Sequence, residues 1–178
     1  FPYTTLFRSV SQHWIGIMIT KDNKHYMAVA HLTGQRSYAR RAKVGAVIVK
    51  NRSIISEGYN GTYPGDENVC EDENGLTKSN VIHAEKNAIM KIVRSTYDST
   101  GSELYVTHEP CLECASLIVL AGIKKVFHAI EYKSKTRGSG LDLLLKHGVE
   151  CVKIEADSYD KIVESLNAVD ELIKTDYN

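Results

Sequence analysis

The sequence predicts an α/β fold in three layers, with helices on both faces of a mixed, five-stranded central sheet. Two apolar runs rich in β-branched residues come first and are joined by a short turn, as in a β-hairpin. Strand-like and helix-like segments then alternate, which is typical of strands joined by helices that pack on the sheet. The length of 178 residues and the 43% hydrophobic content suit one globular domain.

The N-terminal region divides into a leader and a first helix. Residues 1–22 show no clear hydrophobic period, so we treat them as a leader of uncertain structure and place a single domain at residues 23–178. Apolar residues at helical spacing predict an amphipathic helix from Asn23 to Gly34, with Gly34 as its cap. The connector that follows, residues 35–43, holds the densest cluster of positive charge in the chain.

The hairpin is followed by two segments without a strong period. Its strands are residues 44–49 and 53–57, with a turn at 51–52. The segment 58–62 contains two glycines, which let the backbone pass close to a ligand. The polar loop at 63–80 is long for a compact domain, so we predict that it forms a lid or an interaction surface.

The second half of the chain supplies the remaining strands and helices. A proline opens the second of these helices, and glycines follow the second and third, as is common at helix ends. In chain order we predict a helix whose first turn holds residues 83 and 85, a strand at 102–107, a helix from 110 to 121 capped by Gly122, a strand at 125–129, a helix at 141–147, a strand at 149–154 and a helix at 159–173.

Three side chains form the most informative motif of the chain: His83, Cys111 and Cys114. Residues three apart share a helix face, so a helix beginning at Pro110 would point both cysteines the same way. Three ligands are one fewer than a closed tetrahedral zinc site uses, whereas a catalytic zinc keeps its fourth position for a water and lowers its pKa towards ~7. Glu85 is placed to move the protons of that water. We therefore predict one catalytic zinc per chain.

Other interpretations of these residues stay open. A purely structural zinc would need a fourth protein ligand, for which His108, His128 and Cys70 are candidates. The four cysteines could instead form two disulfides, although a Cys-x-x-Cys pair beside a histidine motif is more typical of a metal site. Cys70 is either a free thiol or an accessory ligand, and Cys151 lies in an apolar strand pattern that predicts an inert core residue.

Composition limits the partners of the protein. Acidic and basic residues number 22 each, and this zero net charge argues against a nucleic acid as the main partner, because phosphate-backbone affinity comes largely from clustered lysine and arginine. A small anionic ligand needs only one or two cations. No apolar run approaches the ~18 residues of a transmembrane helix, and no stretch has the features of a secretory signal, so we expect a cytoplasmic location without membrane association.

The metal motif is part of a wider resemblance. A His-x-Glu sequence followed later by Pro-Cys-x-x-Cys is the signature of the zinc-dependent nucleobase deaminases. From about His25 to Ile154, the chain resembles the deoxycytidylate (dCMP) deaminases of the cytidine deaminase-like superfamily, and we expect their fold. The other segments that carry the resemblance are MAVA at 27–30, RS at 36–37, VGAVIV at 44–49, GYNG at 58–61, KNAI at 86–89, LYVT at 104–107 and AGIKK at 121–125.

The resemblance implies zinc-dependent hydrolysis of dCMP to dUMP and ammonia, which would supply dUMP for dTMP synthesis. It assigns Asn60 to the sugar and base of the substrate, the backbone amide of Ala84 to the pyrimidine carbonyl, and Tyr132 to the mouth of the site. The 5′-phosphate needs a cation. The basic connector offers four candidates, and the sequence does not choose between them: Arg36, Arg40, Arg41 and Lys43. We place Arg36 and Arg40 among the substrate-binding residues.

The same resemblance implies regulation and assembly. The family is commonly hexameric, with dCTP and Mg²⁺ activating and dTTP inhibiting the enzyme. The positions that match the family's allosteric nucleotide site are those of the segment 58–62: Gly58, Tyr59, Asn60, Gly61 and Thr62. Weaker candidates are Asn87 and Arg94, in the predicted helix whose first turn holds His83, which we call the metal helix. Some phage members bind a second zinc through a cysteine two residues after the Arg-Ser pair. This chain has Ala39 there, so we do not expect a second zinc.

Three functional hypotheses follow. The favoured one is a dCMP deaminase. The second is a deaminase of tRNA adenosine or of cytosine in single strands, which would use the same metal motif but gains no support from the neutral charge. The third is a module that senses nucleotides or organises a zinc ion without turnover.

Overall fold

The computed structural model of the protein describes residues 19–131 and 139–155, together with Glu164. The strands form one sheet in the order β2-β1-β3-β4-β5, in which β1 is antiparallel to β2 and β3, while β3, β4 and β5 are parallel. The predicted mixed sheet of five strands is confirmed. The elements are α1 Lys21–Gln35, β1 Gly45–Lys50, β2 Ser53–Tyr59, α2 Ala84–Val93, β3 Glu103–His108, α3 Leu112–Leu120, β4 Lys125–Ile130, α4 Leu141–Lys146 and β5 Glu150–Lys153.

Helices cover both faces of this sheet. On one face, α1 buries Met27 against a cluster that includes Tyr105 and Phe127, whose rings stack with centroids 4.4 Å apart. On the other face, α2, α3 and α4 bury residues such as Ala88 and Ile118 against the opposite side chains of the strands. Each face therefore removes apolar surface from water, which stabilises the fold. The predicted three-layer arrangement is confirmed.

The backbone at two turns follows from local sequence. Asn51 and Arg52 have φ angles of 50° and 62°, which is the left-handed pair of a type I′ turn and matches the twist of the two hairpin strands. Gly122, with φ of 69°, comes directly after the C-cap of α3, where a left-handed glycine ends a helix at little steric cost.

The first helix differs from the prediction at both ends. Thr20 caps its N-terminus in a reciprocal capping box, so α1 begins at Lys21, inside the predicted leader. The helix continues to Gln35, and the prediction that Gly34 caps it was wrong. Gly34 lies instead where α1 crosses β1, and a Cβ there would be 3.0 Å from the Gly45 amide nitrogen.

Three predictions fall outside the described residues: most of the leader, Tyr132, and the closing helix at 159–173, of which only Glu164 is described and is helical. Among the residues that the structure does describe, no helix has both the length and the hydrophobicity needed to cross a lipid bilayer.

Candidate metal centre

The three predicted ligands meet where two helices begin. His83 is the N-cap of α2 and Cys111 is the N-cap of α3, while Cys114 lies in the first turn of α3. The sequence pattern predicts His83 inside the first turn of α2 and a start of α3 at Pro110. Both boundaries were wrong by one or two residues, because the ligands themselves adopt the extended conformation of N-cap residues. Both helices therefore direct their positive N-terminal dipoles at the site.

The spacing of the ligand atoms matches a zinc ion. The Nδ1 atom of His83 lies 3.5 Å from Cys111 Sγ and 3.4 Å from Cys114 Sγ, and all three atoms lie within 4.8 Å of one another. Around a tetrahedral zinc with Zn–N of ~2.1 Å and Zn–S of ~2.3 Å, nitrogen and sulfur are roughly 3.6 Å apart. The donor set and its spacing therefore fit one zinc ion.

The other candidate ligands lie elsewhere. Within residues 19–131 and 139–155, the cluster of potential ligands contains His83 and the two cysteines but not His108, His128 or Cys70. Burial lowers the pKa of both of those other histidines, as expected for neutral side chains within the fold. All four cysteines are free thiols, and Cys70 is buried away from the cluster. Neither a four-ligand structural zinc nor a disulfide framework gains support.

Glu85 lies at the same helix terminus and is 4% exposed. Burial raises its pKa to about 7, a shift that its own backbone amide and His83 partly oppose. The two thiols differ from each other. A hydrogen bond with Cys114 is the main cause that lowers the pKa of Cys111 to about 4, and the same bond, together with burial, raises the pKa of Cys114. The cluster thus combines a readily ionised thiol with a carboxyl group that titrates near neutral pH.

The segment 58–62 is packed along the first turns of α2. Gly58 lies so close to the helix that a Cβ would overlap the Ala84 carbonyl oxygen and the Ala88 amide nitrogen. The side-chain amide of Asn87 donates to the Tyr59 carbonyl at 2.9 Å. Gly61 forms a pair of backbone hydrogen bonds with Ile82, directly before the histidine ligand. The segment is therefore coupled mechanically to the metal helix, although its nucleotide-binding role stays a prediction.

Asn60 holds the backbone beside the site. Its Oδ1 accepts from the Val44 amide at 2.8 Å, and its Nδ2 donates to the Ala42 carbonyl at 2.9 Å. These bonds fix the end of the basic connector against β1. Each of the two amide atoms keeps further hydrogen-bonding capacity, so the predicted contact with substrate stays a prediction.

The predicted basic residues have different surroundings. The Arg36 guanidinium pairs with Glu57 at 2.8 Å and lies 5.0 Å from the centre of the Tyr59 ring. The side chain of Arg40 is 80% exposed. Arg94 is the C-cap of α2, at the opposite end of this helix from the metal ligand.

The length of the 63–80 loop predicts a lid or an interaction surface, but the sequence does not show which of its residues lie near the site. Residues from both ends of the 63–80 loop, including Tyr63 and Ser79, line a small cavity beside His83 and Cys114. Glu71, from the same loop, is 5% exposed and accepts hydrogen bonds from the connector. A glutamate in a polar loop is usually solvated, so only the folded structure shows that Glu71 is buried.

Comparison with known proteins identifies related sequences. Residues 20–130 match the family model described as the cytidine and deoxycytidylate deaminase zinc-binding region. The deoxycytidylate deaminase of Mus musculus is 36% identical over 159 residues, which cover 82% of this chain and 86% of that protein. ComE operon protein 2 of Bacillus subtilis (strain 168) is 39% identical over 139 residues, covering 76% of this chain and 72% of that protein.

A solved structure is similar over most of the described fold. The dCMP deaminase of cyanophage S-TIM5, crystallised in complex with dCMP and dUMP, matches with a TM-score of 0.70 and 45% identity. The match covers 74% of this chain and 95% of the phage protein.

Replacing Gly58 with alanine should push α2 away from β2. The added Cβ would overlap the helix backbone, and overpacking of this kind typically costs ~1–3 kcal/mol. We expect urea denaturation to show a loss of about 2 kcal/mol in the free energy of unfolding, and a chelator to remove zinc faster than from the wild type.

Gly61→Ala is the matched control. The nearest atom to a Cβ at Gly61 is Tyr59 Cε2 at 3.9 Å, an ordinary van der Waals contact. This variant should retain both stability and zinc. If Gly58→Ala and Gly61→Ala had the same free energy of unfolding and lost zinc to a chelator at the same rate, the contact of Gly58 with α2 would not support the metal centre.

Proposed function

Because the chain belongs to the cytidine and deoxycytidylate deaminase family, we propose that it hydrolyses dCMP to dUMP with release of ammonia. The observation that carries this proposal is the convergence of three zinc ligands beside a buried carboxyl group whose pKa is near neutral. The binding of dCMP and dUMP by the cyanophage enzyme supports this choice of substrate. The proposed cytoplasmic location rests on the intracellular nature of such a nucleotide.

Proton transfer is the work that we assign to Glu85. A zinc ion held by His83, Cys111 and Cys114 would supply a water activated for attack on carbon 4 of the cytosine ring. The Glu85 carboxylate accepts a proton from this water and donates it to ring nitrogen 3. A further proton passes to the amino group, which leaves as ammonia while carbon 4 becomes a carbonyl. Burial raises the pKa of Glu85, so this carboxyl group is easier to protonate than an ordinary glutamate, which suits a group that both accepts and donates a proton.

The remaining substrate contacts are also proposals. Ala84 is the first residue of α2, so its amide has no partner within the helix and is available to the pyrimidine carbonyl. Asn60 would bind the sugar and base through the second lone pair of its Oδ1 atom and the second hydrogen of its Nδ2 atom, which its contacts with Val44 and Ala42 leave available. For the 5′-phosphate we favour Arg40, because its side chain is more exposed than that of Arg36, 80% against 58%, and its ion pair with Glu71 is longer, 3.9 Å against the 2.8 Å between Arg36 and Glu57. Tyr132, outside the described residues, completes the proposed set.

Ammonia release from three substrates tests the proposed reaction. The zinc-loaded protein should deaminate dCMP, act poorly on deoxycytidine because it lacks the phosphate, and leave an RNA hairpin unchanged. Glu85→Gln should keep its zinc and lose at least ~100-fold in turnover, the usual scale of general acid–base catalysis. Preference for the hairpin would favour a nucleic-acid deaminase. No release from any substrate, with zinc bound, would favour a binding module.

Regulation and assembly form a second part of the proposal. We propose a homo-hexamer that is activated by dCTP with Mg²⁺ and inhibited by dTTP, which bind at the segment 58–62 with Asn87 and Arg94. The contact of this segment with α2 supports the idea, because a ligand that moves Gly58 or Tyr59 would also move the helix that carries Glu85.

Initial rates and light scattering test this regulation. At dCMP concentrations below KM, dCTP with Mg²⁺ should raise the rate and dTTP should lower it, and the particle mass should correspond to six chains. Rates that neither nucleotide changes would contradict the regulatory site. A mass of one chain would contradict the proposed assembly.

A further inference from the structure

The basic connector lacks regular structure, yet other segments hold its backbone in place. The Ser37 hydroxyl donates to the Asn60 carbonyl at 2.7 Å and accepts from the Ala39 amide at 3.1 Å. The Asn60 side chain holds Ala42 and Val44 at the other end. Between these two anchors lie Arg40 and Arg41, whose backbone is fixed by a residue far along the chain.

That residue is Glu71. Its Oε1 atom accepts hydrogen bonds from the backbone amides of Arg40 and Arg41, both at 3.0 Å. The residue is 5% exposed, and a buried carboxylate is costly unless hydrogen bonds or charges compensate it. Hydrogen bonds to an ionised acceptor are roughly twice as strong as neutral ones. The two amides therefore hold the carboxylate, and the carboxylate holds the connector.

Glu71 hydrogen-bonds the backbone and forms only a long ion pair with the Arg40 side chain. The Arg40 Nε atom is 3.9 Å from Glu71 Oε2, within ion-pair range but beyond hydrogen-bond distance, and the Arg40 side chain is 80% exposed. Arg41 is also exposed. Two adjacent, exposed arginines thus extend from a fixed backbone. This arrangement suits recognition of a phosphate, because each guanidinium can donate hydrogen bonds to two phosphate oxygens at once.

A second contact links the connector to the metal centre. Ala39 packs with Cys70 and Val81 in a small buried cluster. Cys70 is the neighbour of Glu71, and Val81 precedes the His83 ligand by two residues. The connector, the 63–80 loop and the approach to the metal therefore form one packed unit.

We propose that Glu71 is a positioning residue that presents Arg40 and Arg41 to the 5′-phosphate of a pyrimidine nucleotide. This inference rests on the proposed function, because it assumes that a nucleoside monophosphate is the substrate. Without the carboxylate, the two amides lose their acceptor, and the arginines lose the orientation that makes binding of phosphate favourable.

Kinetics with and without the phosphate test this role. In the zinc-loaded full chain, Glu71→Ala should raise KM for dCMP roughly tenfold, the scale of losing one hydrogen bond to a charged group, and should leave kcat within about twofold. The kcat/KM for deoxycytidine should not change. Glu71→Gln should recover most of the affinity, because its amide oxygen still accepts from both backbone amides.

Two controls separate positioning from other effects. Glu73 is exposed and lines the same open surface pocket as Arg40, Arg41 and Glu71, so Glu73→Gln removes a nearby carboxylate that does not hold the connector and should not raise KM for dCMP. In an Arg40→Ala/Arg41→Ala background, Glu71→Ala should have no further effect on KM, since the groups it positions are absent. If Glu71→Ala does not fold, Glu71→Asp, with its shorter side chain, replaces it and should show a smaller rise in KM for dCMP alone.

The outcomes distinguish this inference from the proposed function. An equal loss for dCMP and deoxycytidine, or no change for either, would overturn the role of Glu71 while leaving the deaminase intact. An inactive wild type would contradict the deaminase, and calorimetric binding of dCMP would then decide the inference. Weaker dCMP binding by Glu71→Ala than by the wild type would support the role of Glu71. Equal binding by both proteins, or no binding by either, would overturn that role.

Discussion

The contact of one imidazole nitrogen with two cysteine sulfurs constrains how α2 and α3 pack on their face of the sheet. For His83 to meet Cys111 and Cys114, the N-termini of α2 and α3 must lie side by side. Small residues make this possible: Gly58 admits the first turns of α2, and a Cβ at Gly140 would lie 2.5 Å from that of Ala115 in α3. Close packing of glycine and alanine thus brings ligands from separate segments to one point.

The same convergence sets the electrostatics of the site. A buried carboxyl and two buried sulfur ligands would be costly if all were charged in an apolar interior. Two helix N-termini offset part of this cost, because their dipoles favour negative charge. The raised pKa of Glu85 reflects the same cost, since burial disfavours the charged form of its carboxyl group. The burial that penalises the charged form therefore also adapts the residue to proton transfer.

Short-range patterns in the sequence predicted most of the architecture and the centre of the site. The hairpin turn at Asn51 and the Cys-x-x-Cys pair depend on neighbouring residues, so spacing alone identifies them. Other features depend on contacts between distant segments. Gly34 is a packing glycine because β1 crosses α1, and Glu71 is buried because it meets amides some thirty positions earlier, at Arg40 and Arg41. No local pattern distinguishes such residues from a helix cap or a solvated loop side chain.

The central claim is that three protein side chains hold one zinc ion and leave its fourth position to solvent. X-ray absorption at the zinc edge of the purified, zinc-loaded protein measures this coordination directly. We expect two sulfur neighbours at ~2.3 Å and two nitrogen or oxygen neighbours at ~2.0–2.1 Å, with the scattering pattern of a single imidazole. A third sulfur, a second imidazole, or a protein that binds no zinc would contradict it.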